Sequence, residues 1–179
     1  IVPSYGYTSL NGFGMLRGEV PLAEMAEAMP RGSKTITRLP GRFLVPAIPY
    51  ESGFLIEYAR RFVEALAGSG AAVIYVGGAD SLPRVQEVIS LGCAAVQLGR
   101  PLIREPWFVR KLEAAHRAAD GPVEKRVDSS STCIRCNRCT LASIDPKKFA
   151  AGCPYLQPGE GREWGDAEPT PAADIEDLR

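Results

Sequence analysis

Four of the five cysteines stand close together late in the sequence, at Cys133, Cys136, Cys139 and Cys153. They form a C-x2-C-x2-C-x13-C array, and Pro154 follows the last of them. Two-residue gaps turn the backbone around a centre and point successive sulfurs inward, so one metal or cluster can take all four thiolates. Three closely spaced cysteines, one distant cysteine and a following proline favour a [4Fe-4S] cluster. Zinc more often uses two separated C-x2-C knuckles, and it stays open as the second reading. Without a secretion signal, ligation is favoured over disulfides.

A second chemistry is offered by two glycine turns. Gly77-Gly78 and Gly99-Arg100 each follow a short apolar run and precede a helical pattern. Glycine lets a backbone approach an anion closely, and an arginine adds a forked cationic donor. In parallel α/β proteins ligands bind at the carboxyl ends of the strands, and in barrels phosphate often lodges after the seventh and eighth. Glycine after a buried strand is also an ordinary turn device, and that reading stands beside the phosphate one. Neither G-x-G-x-x-G nor a P-loop lysine is present. Cys93 reads as a buried structural thiol, and His116, the single histidine, as a surface residue. A histidine-based triad therefore cannot be built from this chain.

These groups need elements to position them. Leu22, Met25, Ala26 and Met29 fall at helical spacing within an irregular, Gly/Pro-rich stretch over 1–50. Residues 52–67 read as an amphipathic helix with Leu55, Ile56, Ala59, Phe62, Val63 and Leu66 on one face. Ala71–Val76 is a continuous apolar run that predicts a strand buried on both faces, and Cys93–Leu98 reads as the next buried strand. A helix from Asp80 or Ser81, as cap, to Leu91 lies between them, and another runs from about Pro106 to Ala119. Strand and helix alternate, which predicts βα units of a parallel sheet, either doubly wound or a barrel. The expected organisation is βα units over 1–120, a linker and cysteine segment over 121–156, and an acidic, disordered tail over 157–179. A whole barrel needs about 250 residues, so a barrel reading makes this chain the later part of a longer protein. The opening on Ile1-Val2 without a methionine agrees with that.

Lysine plus arginine equals aspartate plus glutamate at 21 each, so the overall charge makes no case for nucleic acid or an anionic membrane as partner. No apolar run approaches the length of a spanning helix, and the first residues lack the pattern of a signal peptide. A cytoplasmic protein acting on a small molecule is expected, and a homo-oligomer is compatible with the sequence.

Three runs occur in order: VIYVGG at 73–78, LGRPLIREP at 98–106, and the cysteine array with Asn137 inside it. Together they resemble the NADH:flavin oxidoreductases of the old yellow enzyme family. The nearest likeness is to members with an iron–sulfur site, such as trimethylamine dehydrogenase and 2,4-dienoyl-CoA reductase. The resemblance spans roughly residues 1–155. It implies the last βα units of a TIM (β/α)8 barrel, with Gly77 and Gly78 after the seventh strand and Gly99 and Arg100 after the eighth. Those four residues would bind FMN at its phosphate, and Cys133, Cys136, Cys139 and Cys153 would hold [4Fe-4S]. NAD(P)H would be the electron donor and an activated alkene or related acceptor the substrate. The last cysteine gap is slightly longer than in those members. The family's catalytic groups come mostly from the first six strands, so no catalytic residue is assigned, and this chain alone is expected to be inactive. Tyr5 and Tyr7 would lie near the same rim, with packing the favoured role. Two other readings remain open: a non-catalytic fragment binding zinc or a cluster, and a different phosphate-binding barrel enzyme.

Overall fold

The computed structural model describes residues 1–4, 17–28, 47–119 and 127–164. Tyr5, Tyr7, Met29 and the chain from Gly165 onward lie outside the described residues.

The centre is a β-α-β unit. β1 (Ile74–Val76) leads into α3 (Leu82–Ser90), which returns to β2 (Ala95–Gln97). The strands pair in parallel, with Ile74 opposite Ala95, Tyr75 opposite Val96 and Val76 opposite Gln97. The chain start lies along the other edge of β1. The Ile1 amino group donates to Ala72 O at 2.6 Å, and Ile74 N donates to Ile1 O at 2.8 Å. Three backbone segments therefore lie side by side in chain order, the middle one hydrogen-bonded on both edges.

α2 (Ile56–Ala65) precedes β1, and with it buries Leu55, Ala59, Val73, Tyr75, Ala79, Val88 and Cys93 as one apolar cluster. The 3.6-residue spacing of Leu55, Ala59 and Val63 brings these side chains onto that cluster, while Phe62 keeps 40% of its surface exposed. After β2 come α4 (Arg100–Arg104) and α5 (Phe108–Ala118), and α5 buries Phe108, Leu112 and Ala115. α1 (Leu22–Ala28) buries Met25 and Ala26 and packs against α6 (Leu141–Ile144), which follows the cysteine loop. Cys93 is buried and His116 exposed, as their types suggested.

Several expectations need correction. The strands are shorter than the apolar runs and are not covered on both faces, since Ala71, Ala72, Ala95 and Gln97 are exposed. Among the described residues nothing pairs with the outer edge of β2, and a continuous apolar run does not reveal which neighbours are present. Ser81 occupies the N-cap of α3 without a side-chain capping bond, and the Asp80 carboxylate is taken by Tyr50 and Ser52. The short helix α4, which begins at Arg100, was not foreseen. Gln157–Trp164, assigned by composition to a disordered tail, instead folds against α4 and α5. Arg104 Nη2 lies 2.6 Å from Glu160 Oε1, and Arg110 Nη1 donates to Trp164 O at 2.7 Å. Gly161, at φ +81°, lies so close to the Trp107 ring that a Cβ would collide with it. These specific contacts outweigh the polar, Pro/Gly-rich composition that suggested disorder.

Candidate functional site

The ends of both strands open on one cavity of about 200 Å³. Its lining includes Gly77, Gly78, Gly99 and Arg100, so the two glycine turns face a common space. The glycines differ in what they require. Gly78 sits at φ +79°, and a Cβ there would lie 2.8 Å from Gly53 N. Gly78 O in turn accepts Gly53 N at 2.9 Å. This turn needs glycine to pack on the loop before α2. Gly99 has a negative φ of −110°, and a Cβ there would meet no heavy atom within 4 Å. Its exposed backbone therefore borders open space at the cavity.

A second cationic side chain, Arg135, stands at this rim beside Arg100. Tyr50 carries Arg135 4.4 Å from its ring centre and Arg100 at 5.5 Å, within cation–π range. The Tyr50 hydroxyl donates to Asp80 Oδ2 at 2.8 Å, and Ser52 Oγ donates to Asp80 Oδ1 at 2.6 Å. Arg135 Nη2 reaches the same carboxylate at 2.5 Å. Burial, then the hydrogen bond to Asp80, pushes the Tyr50 phenol up to about 12. Burial lowers the pKa of Arg100, opposed by the nearby Cys133, Tyr50 and Cys139.

The second cavity, about 140 Å³, lies beside the first. Cys133, Cys136, Cys139 and Cys153 all line it. Arg100 and Cys133 line both cavities and so form part of the wall between them. No group of three or more His, Cys, Asp or Glu among the described residues is arranged to hold a metal ion. The volume is many times the roughly 15 Å³ that one water needs, which is room for a group of several atoms. Burial, then the neighbouring Cys133 and Cys136, raises the pKa of Cys139.

Local geometry explains how the thiols come to one place. Arg135 and Asn137 take left-handed conformations, at φ 58° and 57°, between successive cysteines, and so wind the loop. The loop is laced to residues 17–24. Glu19 N donates to Arg135 O at 3.0 Å, Asn137 Nδ2 donates to Glu19 O at 2.7 Å, and Arg138 pairs with Glu19 and Glu24. On its other side Glu105 accepts from Ser131 Oγ at 2.9 Å and from Thr132 N at 2.7 Å. Ser131 Oγ accepts Cys133 N at 3.3 Å, so Glu105 bears on the first thiol through one side chain.

Sequence reasoning missed Tyr50, Asp80, Arg135, Asn137 and Glu105. For Asn137 a signal was available, since a non-glycine residue suited to positive φ stands inside the array. For the others the relevant partners lie 26 to 55 residues away, beyond any local pattern.

No protein-family model matches the sequence, and no solved structure matches it. Over 134 residues, 75% of this chain, it is 32% identical to the 4,4'-dithiodibutanoate disulfide reductase of Rhodococcus erythropolis. The matched part is 30% of that relative's length. The chain is thus similar to part of an oxidoreductase. Among the described residues no helix is long and apolar enough to cross a membrane.

Proposed function

We propose that this chain is part of an FMN-dependent NAD(P)H oxidoreductase of the old yellow enzyme type, built on a (β/α)8 barrel. In this reading β1 and β2 are consecutive barrel strands. Their chain-order pairing, with Ile1 on the next edge, is what consecutive barrel strands require. The 200 Å³ cavity takes the flavin phosphate, with the open backbone at Gly99 and the Arg100 guanidinium as its donors. Gly77 and Gly78 shape its floor. Cys133, Cys136, Cys139 and Cys153 hold the cluster. The C-x2-C-x2-C spacing with a distant cysteine before Pro154, and a cavity with room for several atoms, favour [4Fe-4S] over zinc.

Bound flavin supplies hydride and single-electron chemistry, which no side chain of this chain offers. The chain's own share is positioning. Arg100 counters phosphate charge, Asp80 fixes Arg135 and Tyr50 at the rim, and Glu105 fixes the segment leading to Cys133. The relative's name adds a disulfide to the activated alkene as an acceptor class.

The observation that carries this reading is the wall shared by the two cavities, with Arg100 and Cys133 on both sides. The test is an anaerobic absorbance spectrum of the purified protein with iron, zinc and sulfide assays. Flavin bands, a broad iron–sulfur shoulder and about four irons per chain support it. A colourless protein, with zinc or with no metal, sinks the cluster assignment.

A further inference from the structure

We infer that Asn137, a residue of the thiol cavity, is a positioning residue for the anion site next door, acting through Arg100. The inference rests on the FMN reading above. Asn137 lines the second cavity and not the first. The residue is nevertheless only 1% exposed, and its side chain is held at both ends. Arg100 Nη1 donates to Asn137 Oδ1 at 2.7 Å, and Asn137 Nδ2 donates to Glu19 O at 2.7 Å. The arginine demands an acceptor and the carbonyl demands a donor, which settles the orientation of the amide. An aspartate would keep the first bond and set two acceptors against each other at Glu19. Arg100 Nη1 also donates to Arg17 O at 2.8 Å.

The consequence for Arg100 is directional. A guanidinium is a rigid planar fork, so anchoring Nη1 orients its remaining donors. Tyr50 limits the same group from one face, 5.5 Å away. A fork oriented before binding loses less side-chain freedom when an anion arrives. The residue between Cys136 and Arg138 thereby sets the affinity of a site it does not touch.

The test uses Asn137→Gly, because glycine takes φ 57° without strain and the change removes the side chain that holds Arg100. FMN affinity is measured by flavin fluorescence quenching for wild type, Asn137→Gly, Arg100→Met and the double variant. Asn137→Gly is expected to weaken FMN about tenfold, the low end for a hydrogen bond to a charged group. In the Arg100→Met background the same change is expected to add little, because the intermediary is gone. An unchanged affinity in Asn137→Gly, or an equal loss in both backgrounds, overturns the inference and leaves the flavin reading standing. Wild type that binds no FMN overturns both.

Discussion

Glu105 Oε1 lies 3.1 Å from Lys111 Nζ, and the two side chains keep only 3% and 10% of their surface exposed. Lys111 also donates to Ser130 O at 2.6 Å, so the pair clamps the 130–132 segment from two directions. Glu105→Ala strands a buried ammonium and is expected to cost about 3–5 kcal/mol in denaturant unfolding. Replacing both residues by methionine should recover part of that and no more. Ser131 Oγ and Thr132 N would still lack their acceptor, at about 1–3 kcal/mol if buried.

The glycine turns should separate fold from binding. Gly78→Ala forces a side chain to φ +79° and against Gly53 N, and should destabilise by about 1–3 kcal/mol. Gly99→Ala meets open space and should unfold at the wild-type denaturant concentration. It should still weaken FMN about tenfold, or about 1.4 kcal/mol, by closing off the backbone. Equal losses of stability in the two variants would refute this division.

Two phenols make the fold sensitive to alkali. Burial is the first cause of both shifts, and it pushes Tyr50 and Tyr75 up to about 12 from 10.0. Both are therefore raised above their unfolded values. The stability they contribute is whole below pH 10 and is lost as pH climbs through about 12. Unfolding free energy followed across that window should fall, and Tyr50→Phe should flatten the fall. A flat profile in wild type would contradict the burial of these rings.

Thiol reactivity should sort the cysteines. Burial raises the pKa of Cys93, and burial together with neighbouring thiols raises that of Cys139. In metal-free protein at about pH 8, Cys93, buried and with its pKa raised, should alkylate last. Loading with iron and sulfide should protect Cys133, Cys136, Cys139 and Cys153 together. Peptide mapping after a brief pulse of reagent would show whether Cys153 shares that protection.

How much of this was legible beforehand follows from the range of each signal. Leu55, Ala59 and Val63 announced α2 because helical periodicity is local, and Gly77 and Gly99 marked the strand ends for the same reason. The cysteine spacing was legible as an array, and the structure places all four on one cavity. The exposure of Ala95 and Gln97 was not legible, because an apolar run records what a strand tolerates and not which neighbour lies beside it. Asp80 or Ser81 was read as the cap; Ser81 takes that place, and the Asp80 carboxylate serves Tyr50, Ser52 and Arg135. Tertiary partners outcompeted a local role, as they did for Glu160 and Trp164 in the supposed tail.

The folding of Gln157–Trp164 onto Trp107 and Arg110 bears on the order in which the protein can be built. Cys153 is synthesised 14 residues after Cys139, about 1–3 s later at ordinary translation speeds. The strap that follows it docks on helices already made. Three sulfurs thus leave the ribosome well before the fourth, and a premature metal would meet an unfinished, three-sided nest. If the four thiols hold one cluster, the fourth ligand would be fixed in place only once the strap that follows it has docked on α5.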